Sequence, residues 1–301
     1  MDVSLITVSY RGDYALAAEL CASVEAYVAA EIEHVLVVPR ADVALFLPLK
    51  TKRRRIVFVE DLLPPSWRQL PIPSRIQTPF GTWRPRSLWA TPQGFMRGWV
   101  LQQIIKLSCD IATPRSTLVF ADSDTVFVRP FAGDRLFRDN KARLYHRPAE
   151  TKDSERHRSW HRAAAEILGL PATEYFGADY IGNLITWRRD TLVALHAHIA
   201  KVSGRDWQTA LAGRRALSEY ILYGAFAEHV LGEASGHYLD TQDLVHASWH
   251  YDLSHPQSRA AFQGGLQAHH VAVLIQSTED MAPSDRRRFI KSMTDKSQQA
   301  A

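Results

Sequence analysis

The sequence predicts an α/β fold, in which helices flank a mixed, mostly parallel sheet. Short runs of apolar and β-branched residues alternate with longer segments whose apolar residues recur at helical spacing. This succession of strand, helix and strand is typical of parallel sheets. Hydrophobic residues make up 46% of the 301 positions, which is enough for a sizeable core. We therefore expect a single domain over residues 1–290, followed by a polar tail over residues 291–301.

The first 60 residues contain the clearest strand–helix–strand pattern. We predict strands over residues 5–9, 34–38 and 55–59, and a helix that begins after Asp13. Ligands of parallel sheets bind outside the carboxyl ends of the strands. The side chains that follow these strands are therefore nucleotide-site candidates by position, and they include Arg11, Asp13 and Asp42.

The rest of the chain gives a more mixed pattern. Residues 64–96 are rich in Pro and Gly, contain Trp67, Trp83 and Trp89, and are expected to be irregular. A helix is predicted over residues 98–107, and the most distinct strand over residues 117–121. Further helices are predicted over residues 154–168, 190–202 and 217–231, and further strands over residues 180–187, 244–249 and 271–275.

Charge and cysteine content exclude some classes of protein. The formal net charge of +4 is too small to indicate nucleic-acid binding. The two cysteines, Cys21 and Cys109, do not form a disulfide framework. Without a secretory signal or an apolar run long enough to span a membrane, the chain is expected to be cytoplasmic. The basic run from Lys50 to Arg55 is either a solvated loop or a peripheral contact with the inner face of the membrane.

Asp122 and Asp124 carry the most specific signal, because they directly follow the predicted strand over residues 117–121. Side chains alternate along a strand, so we expect these two to face the same way. Two carboxylates this close at an apolar strand end need a compensating cation, and Mg²⁺ or Mn²⁺ is the natural partner. The D-x-D tripeptide is common in solvated loops, but here apolar strands both precede and follow it.

The segment Ala-Asp-Ser-Asp-Thr-Val-Phe-Val-Arg-Pro-Phe resembles the D-x-D segment of GT-A-fold glycosyltransferases. The upstream Gln-Gln-Ile-Ile-Lys-Leu, the early Val-Ser-Tyr-Arg-Gly-Asp and the later Ser-Glu-Tyr-Ile-Leu-Tyr-Gly fit the same pattern. The resemblance extends from about Leu5 to Ser277 and points to uncharacterised bacterial GT-A-like transferases. It implies a single Rossmann-like GT-A domain, with a nucleotide-binding half over about residues 1–130 and a half for the acceptor and donor sugar over residues 131–290.

The resemblance also implies the substrates: a UDP- or GDP-linked sugar donor, and a glycan or lipid-linked acceptor. Gln103 and Lys106 would approach the diphosphate, although a solvated helix face is the alternative. Asp179, which is equally suited to a turn, and Asn183 would contact the donor sugar. The residues implied at the nucleotide are Tyr10, Arg11, Asp13, Asp42, Asp122 and Ser123.

The same resemblance implies a site for Mn²⁺ or Mg²⁺, with Asp124 as a direct ligand and Asp122 on the metal or the ribose. A histidine near the carboxyl terminus commonly completes such sites. His246 leads, because Val-His-Ala-Ser-Trp resembles the matching segment of some relatives. The alternatives are His250, His269 and His270, and each of the four is also compatible with a surface or hydrogen-bonded histidine.

Glu219 is the candidate general base for the acceptor hydroxyl, which implies a single displacement with inversion. The other interpretation is that Ser218 or Glu219 caps a helix. Trp160 and Trp249 are candidates for stacking on sugar rings or for places in the core.

Two other functions remain open. A sugar-1-phosphate nucleotidyltransferase would have a similar sheet and metal, but it needs a Gly-rich basic loop after the first strand, and this chain has only the segment from Tyr10 to Asp13. The other is a non-catalytic protein that binds a nucleotide or glycan, although Asp122, Asp124 and Glu219 are all present. The sequence therefore favours a metal-dependent glycosyltransferase.

Overall fold

The computed structural model describes residues 2–70, 76–78, 81–83, 88–279 and 281–299. It is a mixed α/β protein with a mostly parallel central sheet, which confirms the predicted fold class. The strands are β1 (Val3–Val8), β2 (Glu33–Val38), β3 (Arg54–Phe58), β4 (Arg68–Gln69), β5 (Ile76–Thr78), β6 (Gly81–Trp83), β7 (Leu88–Thr91), β8 (Gly94–Arg97), β9 (Thr117–Phe120), β10 (Thr125–Phe127), β11 (Phe137–Arg138), β12 (Lys141–Tyr145), β13 (Arg147–Pro148), β14 (Ala178–Asp179), β15 (Ile185–Arg188), β16 (His237–Asp240), β17 (Val245–Ala247) and β18 (Ala272–Leu274).

The helices vary from single turns to more than four turns. They are α1 (Tyr14–Tyr27), α2 (Val43–Phe46), α3 (Val59–Leu62), α4 (Gly98–Leu107), α5 (Glu155–Leu168), α6 (Arg189–Ser203), α7 (Trp207–Ala212), α8 (Glu219–Ala225), α9 (Pro256–Gly264) and α10 (Pro283–Gln299). Among the described residues, no helix is both long and apolar enough to cross a lipid bilayer.

The central sheet has the strand order β15-β9-β1-β2-β3. All neighbouring pairs are parallel except β15 and β9, which are antiparallel. Both faces of the sheet are covered, and Val35, Leu36 and Val37 are fully buried. Coverage of both faces explains why these strands appear in the sequence as continuous apolar runs.

Successive residues of β9 pack into different layers. Leu118 and Phe120 join the large core that includes residues of α4, α5, α6 and α8. Val119 joins a second core, together with residues of α1 and β18. The end of β9 therefore lies between two helical layers, and this position shapes the site described below.

Helix α4 is the predicted helix over residues 98–107, with the same bounds. The chain beyond it reaches the amino end of the sheet, where the Thr113 hydroxyl donates to Glu33 at the start of β2 (2.8 Å). Helix α4 therefore runs toward the amino ends of the strands. Its first turn, which contains Trp99, lies toward the carboxyl ends.

Several predicted boundaries are wrong. The strand expected over residues 180–187 begins only at Ile185, because the preceding residues form a loop after β14. The helix expected over residues 217–231 is α8 followed by a π-helical turn over Phe226–Leu231. Short antiparallel strands, β4 and β7 with β8, lie in the segment expected to be irregular. Trp67 and Trp89 are buried there, while the side chain of Trp83 lies outside the described part of the chain.

The predicted polar tail does not begin at Lys291. Helix α10 continues to Gln299, and Met293 is fully buried in a cluster with Phe289 and Ile290. These apolar residues recur at helical spacing within a polar segment, which is why composition alone suggested a loose tail.

The basic run from Lys50 to Arg55 is largely used inside the protein. Arg53 pairs with Glu25 (3.1 Å), Arg54 pairs with the same carboxylate (2.7 Å), and Arg55 pairs with Glu33 (2.6 Å). Arg54 is buried and also donates to the carbonyl oxygens of Leu49 and Cys21. Lys50 and Lys52 remain exposed, so the run presents much less free charge than its sequence indicates.

His34 is a buried histidine whose tautomer follows from its partners. The guanidinium of Arg54 donates to Nδ1 (2.9 Å), so the neutral ring carries its proton on Nε2, which faces the Thr7 hydroxyl (3.1 Å). Burial and the charges of Arg54 and Arg53 hold the pKa of His34 well below its usual value.

Acid should therefore destabilise the fold through His34. The unfolded chain takes up a proton below about pH 6.5 and the folded chain does not, so this residue alone should lower the free energy of unfolding by up to about 1.4 kcal/mol per pH unit. Urea unfolding between pH 7 and pH 5 measures the effect. His34→Gln should give a shallower dependence than wild type, and exposed His255→Gln an unchanged one; equal slopes for all three would contradict this account.

Candidate functional site

Lys106 is a buried cation at the carboxyl end of the central sheet. Its Nζ lies 3.0 Å from Asp122 Oδ1 and 3.2 Å from Glu219 Oε1, and its side chain is only 6% exposed. It also donates to the Tyr220 hydroxyl (2.7 Å). Burial opposes its charge, but Asp122, Tyr220 and Glu219 outweigh burial and raise the pKa of Lys106 well above its usual value. Lys106 is therefore not on a solvated helix face, and it joins α4, the end of β9 and α8.

Asp122 and Asp124 contact different elements, so the strand alternation from which a shared orientation was predicted does not hold. The strand ends at Phe120, and a turn in which Thr125 N donates to Asp122 O (3.0 Å) replaces the strand alternation. Asp122 contacts Lys106 in one layer. Asp124 Oδ2 accepts from Ser277 N (3.1 Å), after β18, in the other. Ser123 between them is buried, and its hydroxyl donates to Ser9 (3.0 Å), which ties the turn to the end of β1.

Arg286 holds the D-x-D turn from the second layer. Its guanidinium donates to Asp124 O (3.0 Å) and to Ile275 O (2.7 Å), and it pairs with Glu19 of α1 (3.0 Å). In the sequence this buried residue stands in a run of three arginines, Arg286 to Arg288, which by composition alone would be interpreted as a solvated helix face. Its spacing from Phe289, Ile290 and Met293 is the signal that was missed, because it places Arg286 on the apolar face of α10.

The charge of Asp122 raises the pKa of two neighbouring carboxyl groups. Burial and the charge of Asp122 raise the pKa of Asp124 to about 6. Burial and Asp122 also raise the pKa of Asp13, at the end of the turn after β1. Of these three carboxylates only Asp122 pairs with Lys106, an arrangement that favours an added cation.

Asp122 and Asp124 are the residues suited to hold a divalent cation. Among the described residues, no group of three or more His, Cys, Asp or Glu side chains is arranged to bind a metal. Two carboxylates nevertheless fit Mg²⁺ or Mn²⁺, which is usually held by one or two carboxylates while substrate phosphates and water supply the remaining ligands.

The four candidate histidines do not form such a group with the two aspartates. His246 Nε2 donates to Phe262 O (2.8 Å), and its ring stacks on Phe262. His270 Nδ1 accepts from Gln267 N (2.9 Å) and lies beside His246. His269 packs against His270, and His250 is exposed after β17. His246, His269 and His270 therefore contact one another or the residues around α9.

The turn after β1 presents Tyr10 and Arg11 outward and uses Asp42 as a support. Asp42 is buried and accepts from the Arg11 backbone N (2.8 Å) and from Arg11 Nε (2.6 Å). The Tyr10 ring is 53% exposed and folds over Gly12, where a Cβ atom would lie 2.4 Å from the ring. Asp42 therefore acts by positioning the turn, whereas Tyr10 remains accessible.

Gln103 and Asp179 are also supporting residues. Gln103 is buried, and its Oε1 accepts from the backbone N of Glu219 (3.0 Å). Asp179 accepts from Ile181 N (2.7 Å), pairs with His157 (2.6 Å) and also binds the Thr151 hydroxyl. With these partners, Asp179 anchors a turn, which was the alternative interpretation.

Asn183 lies in the loop before β15. Strand β15 pairs Ile185 with Phe120, the last residue of β9, so this loop meets β15 where β9 ends. The Asn183 side-chain nitrogen is buried and has no hydrogen-bond partner among the described residues. An unpaired buried amide is costly in a folded protein and often marks a functional position.

Replacing Lys106 with Met should destabilise the fold strongly, because it leaves Glu219 and Asp122 without their buried partner. Loss of one partner of a buried ion pair costs about 3–5 kcal/mol. Adding Glu219→Gln to Lys106→Met should recover part of this loss, since the uncompensated charge is removed. Urea unfolding monitored by circular dichroism gives the values, with exposed Lys201→Met as the control. A Lys106→Met protein as stable as the control would contradict the importance of these ion pairs.

Comparison with known proteins identifies a family and no curated relative. No curated protein is similar enough to the chain to count as a match. The model of a family of unknown function, DUF6492, matches residues 2–298. The chain therefore belongs to the DUF6492 family.

Proposed function

We propose that this protein is a metal-dependent glycosyltransferase with a GT-A-type domain. It would transfer a sugar from a UDP- or GDP-linked donor to a saccharide or lipid-linked acceptor. The observation that carries the proposal is the ion pairing of Asp122 and Glu219 with buried Lys106 at the carboxyl ends of parallel strands, with Asp13 and Asp124 close enough to Asp122 for its charge to raise their pKa. This edge of an α/β sheet is where nucleotide ligands bind.

The nucleotide would lie against the turn after β1. Tyr10 is the exposed aromatic side chain there, and Arg11, fixed by Asp42, is the exposed cation. An aromatic ring suits a nucleobase, and a guanidinium suits a phosphate oxygen. Asp13 follows directly and adds an acceptor for the ribose hydroxyl groups.

Asp122 and Asp124 would hold Mn²⁺ or Mg²⁺ together with the diphosphate of the donor. When bound, the cation stabilises the negative charge of the departing nucleoside diphosphate. Lys106 pairs with Asp122. On the side of β18, Ser277 N donates to the Asp124 carboxylate, and Arg286 donates to the Asp124 backbone oxygen. Asn183, in the loop before β15, would contact the donor sugar.

Glu219 would remove the proton from the acceptor hydroxyl. It shares Lys106 with Asp122, which keeps its carboxylate within reach of the donor site. Burial raises the pKa of Glu219 and Lys106 opposes that rise, and a raised pKa suits a carboxylate that takes up a proton during the reaction. A base that acts opposite the leaving group implies inversion at the sugar carbon.

A nucleotidyltransferase fits this site less well. That reaction requires a loop after the first strand that can surround a triphosphate. Here the loop is a single 3₁₀ turn, Arg11–Asp13, whose acidic residue lies beside Asp122. The additional phosphate charge of a triphosphate would be repelled by the Asp13 carboxylate.

Asp124→Asn should abolish the metal-dependent binding of nucleoside diphosphates. Titration calorimetry with UDP and GDP, with and without Mn²⁺, should show binding to the wild type that depends on Mn²⁺. The variant should lose this dependence and keep its fold, and the exposed Asp153→Asn should behave as wild type. Failure of both nucleotides to bind the wild type in the presence of Mn²⁺ would refute the proposed function.

Glu219→Gln should leave donor affinity unchanged and slow the transfer by about 10²–10⁴-fold, the usual contribution of a general base. The transfer rate is measured as the release of nucleoside diphosphate from the nucleotide sugar, with water or a saccharide as the acceptor. Exposed Glu31→Gln serves as the control. A parallel fall in donor affinity would show instead that Glu219 acts through Lys106 and Asp122.

A further inference from the structure

Trp99 and Trp160 form an aromatic pair beside the site. Their ring centroids are 5.7 Å apart and their planes are inclined by 27°, which is a stacked arrangement. Trp160, on α5, is 8% exposed, whereas Trp99, in the first turn of α4, is 39% exposed. The core thus fixes one ring, and that ring supports a second ring that is open to solvent.

The exposed ring lies on the same face of α4 as the residues that contact Glu219. Trp99, Gln103 and Lys106 are separated by four and then three residues, so they form one stripe along the helix. Gln103 accepts from the Glu219 backbone N, and Lys106 pairs with the Glu219 carboxylate. Seven residues of helix span about 10 Å, so Trp99 stands at the outer end of a path that begins at the proposed base.

Side-chain contacts link Trp160 to the segment that precedes β15. The guanidinium of Arg156 lies 4.9 Å from the centre of the Trp160 ring, and the His157 ring lies 4.7 Å from it. His157 pairs with Asp179, the last residue of β14, and a short loop leads from there to β15. The aromatic pair therefore lies between the start of α4 and the segment at Asp179, with a guanidinium and an imidazole nearby.

We propose that Trp99, supported by Trp160, is a binding platform for a sugar ring of an oligosaccharide acceptor. The proposal rests on the proposed function. A pyranose ring has an apolar C–H face that packs on an aromatic face, while its hydroxyl groups bond to polar neighbours such as Arg156 and His157. Trp99 and Lys106 are about 10 Å apart along α4, which is longer than one sugar ring. The sugar that packs on Trp99 is therefore not the one whose hydroxyl group reacts.

A nucleobase is the competing occupant of an exposed tryptophan. Tyr10 is the exposed ring at the nucleotide turn after β1, and its neighbour Arg11 is fixed by Asp42. Trp99 belongs to a different element, and its stripe leads to Glu219, the proposed base. The acceptor side of the site is therefore the better match for Trp99.

The test measures the binding of saccharides and nucleotides separately. Cellotetraose, maltotetraose, chitotetraose and the corresponding monosaccharides are titrated calorimetrically into wild type, Trp99→Ala, Trp99→Phe and Trp99→Leu, each with Mn²⁺ and saturating UDP or GDP. At least one tetrasaccharide should bind the wild type more tightly than its monosaccharide. Trp99→Ala and Trp99→Leu should lose about tenfold in tetrasaccharide affinity, and Trp99→Phe should keep most of it. Ile111 is exposed and lies between α4 and β9, toward the amino ends of the strands, so Ile111→Ala should bind the tetrasaccharide like the wild type.

The outcomes separate this proposal from the proposed function. If UDP or GDP binds but no tetrasaccharide does, or if Trp99→Ala binds the tetrasaccharide as tightly as wild type, the platform is refuted and the proposed function stands. A fall in nucleotide affinity in Trp99→Ala would assign Trp99 to the nucleobase and also overturn the platform. If neither nucleotide binds the wild type, the proposed function itself fails.

Discussion

The buried ammonium group of Lys106 is the interaction on which the rest of the site depends. A charge without water is costly unless carboxylates and hydrogen bonds compensate it, and Asp122, Glu219 and Tyr220 do so. These partners belong to the end of β9 and the start of α8, which are distant in sequence. The ion pairs therefore fix the relative positions of the proposed metal ligand and the proposed base.

The charge that remains explains why a cation is expected at this site. Asp122 and Glu219 share the one ammonium group of Lys106, and the charge of Asp122 raises the pKa of both Asp13 and Asp124. Arg286 is paired with Glu19, and its charge only partly offsets the rise in the pKa of Asp124. A nucleoside diphosphate would add further negative charge. If a diphosphate binds here, as we propose, a divalent cation would offset part of this charge, although Lys106 already compensates Asp122.

The sequence predicted elements better than contacts. The bounds of α4 were predicted correctly because its apolar spacing is regular. Strands β1, β2, β3 and β9 were predicted to within two residues because burial on both faces leaves apolar runs. The strand alternation assumed for Asp122 and Asp124 does not hold, because β9 ends at Phe120. The contacts of Lys106 with Glu219 and of Asp124 with Arg286 join residues more than 100 positions apart, and no local pattern specifies such pairs.

The predicted polar residues have two different roles, and burial separates them. Asp42, Gln103 and Asp179 are buried and hydrogen-bonded to their neighbours, so they support the residues around the proposed site. Tyr10, the Asp122 carboxylate (37% exposed) and Trp99 present surface to solvent. Burying an unpaired polar group is costly, so a fold tends to place bonded polar groups behind a site and leave its substrate-facing groups open. By this argument the proposed substrates would meet the exposed set, from Tyr10 past Asp122 to Trp99, while Asp42, Gln103 and Asp179 hold that surface in place. Glu219 is also buried, and it would be reached only by the acceptor hydroxyl that it is proposed to deprotonate.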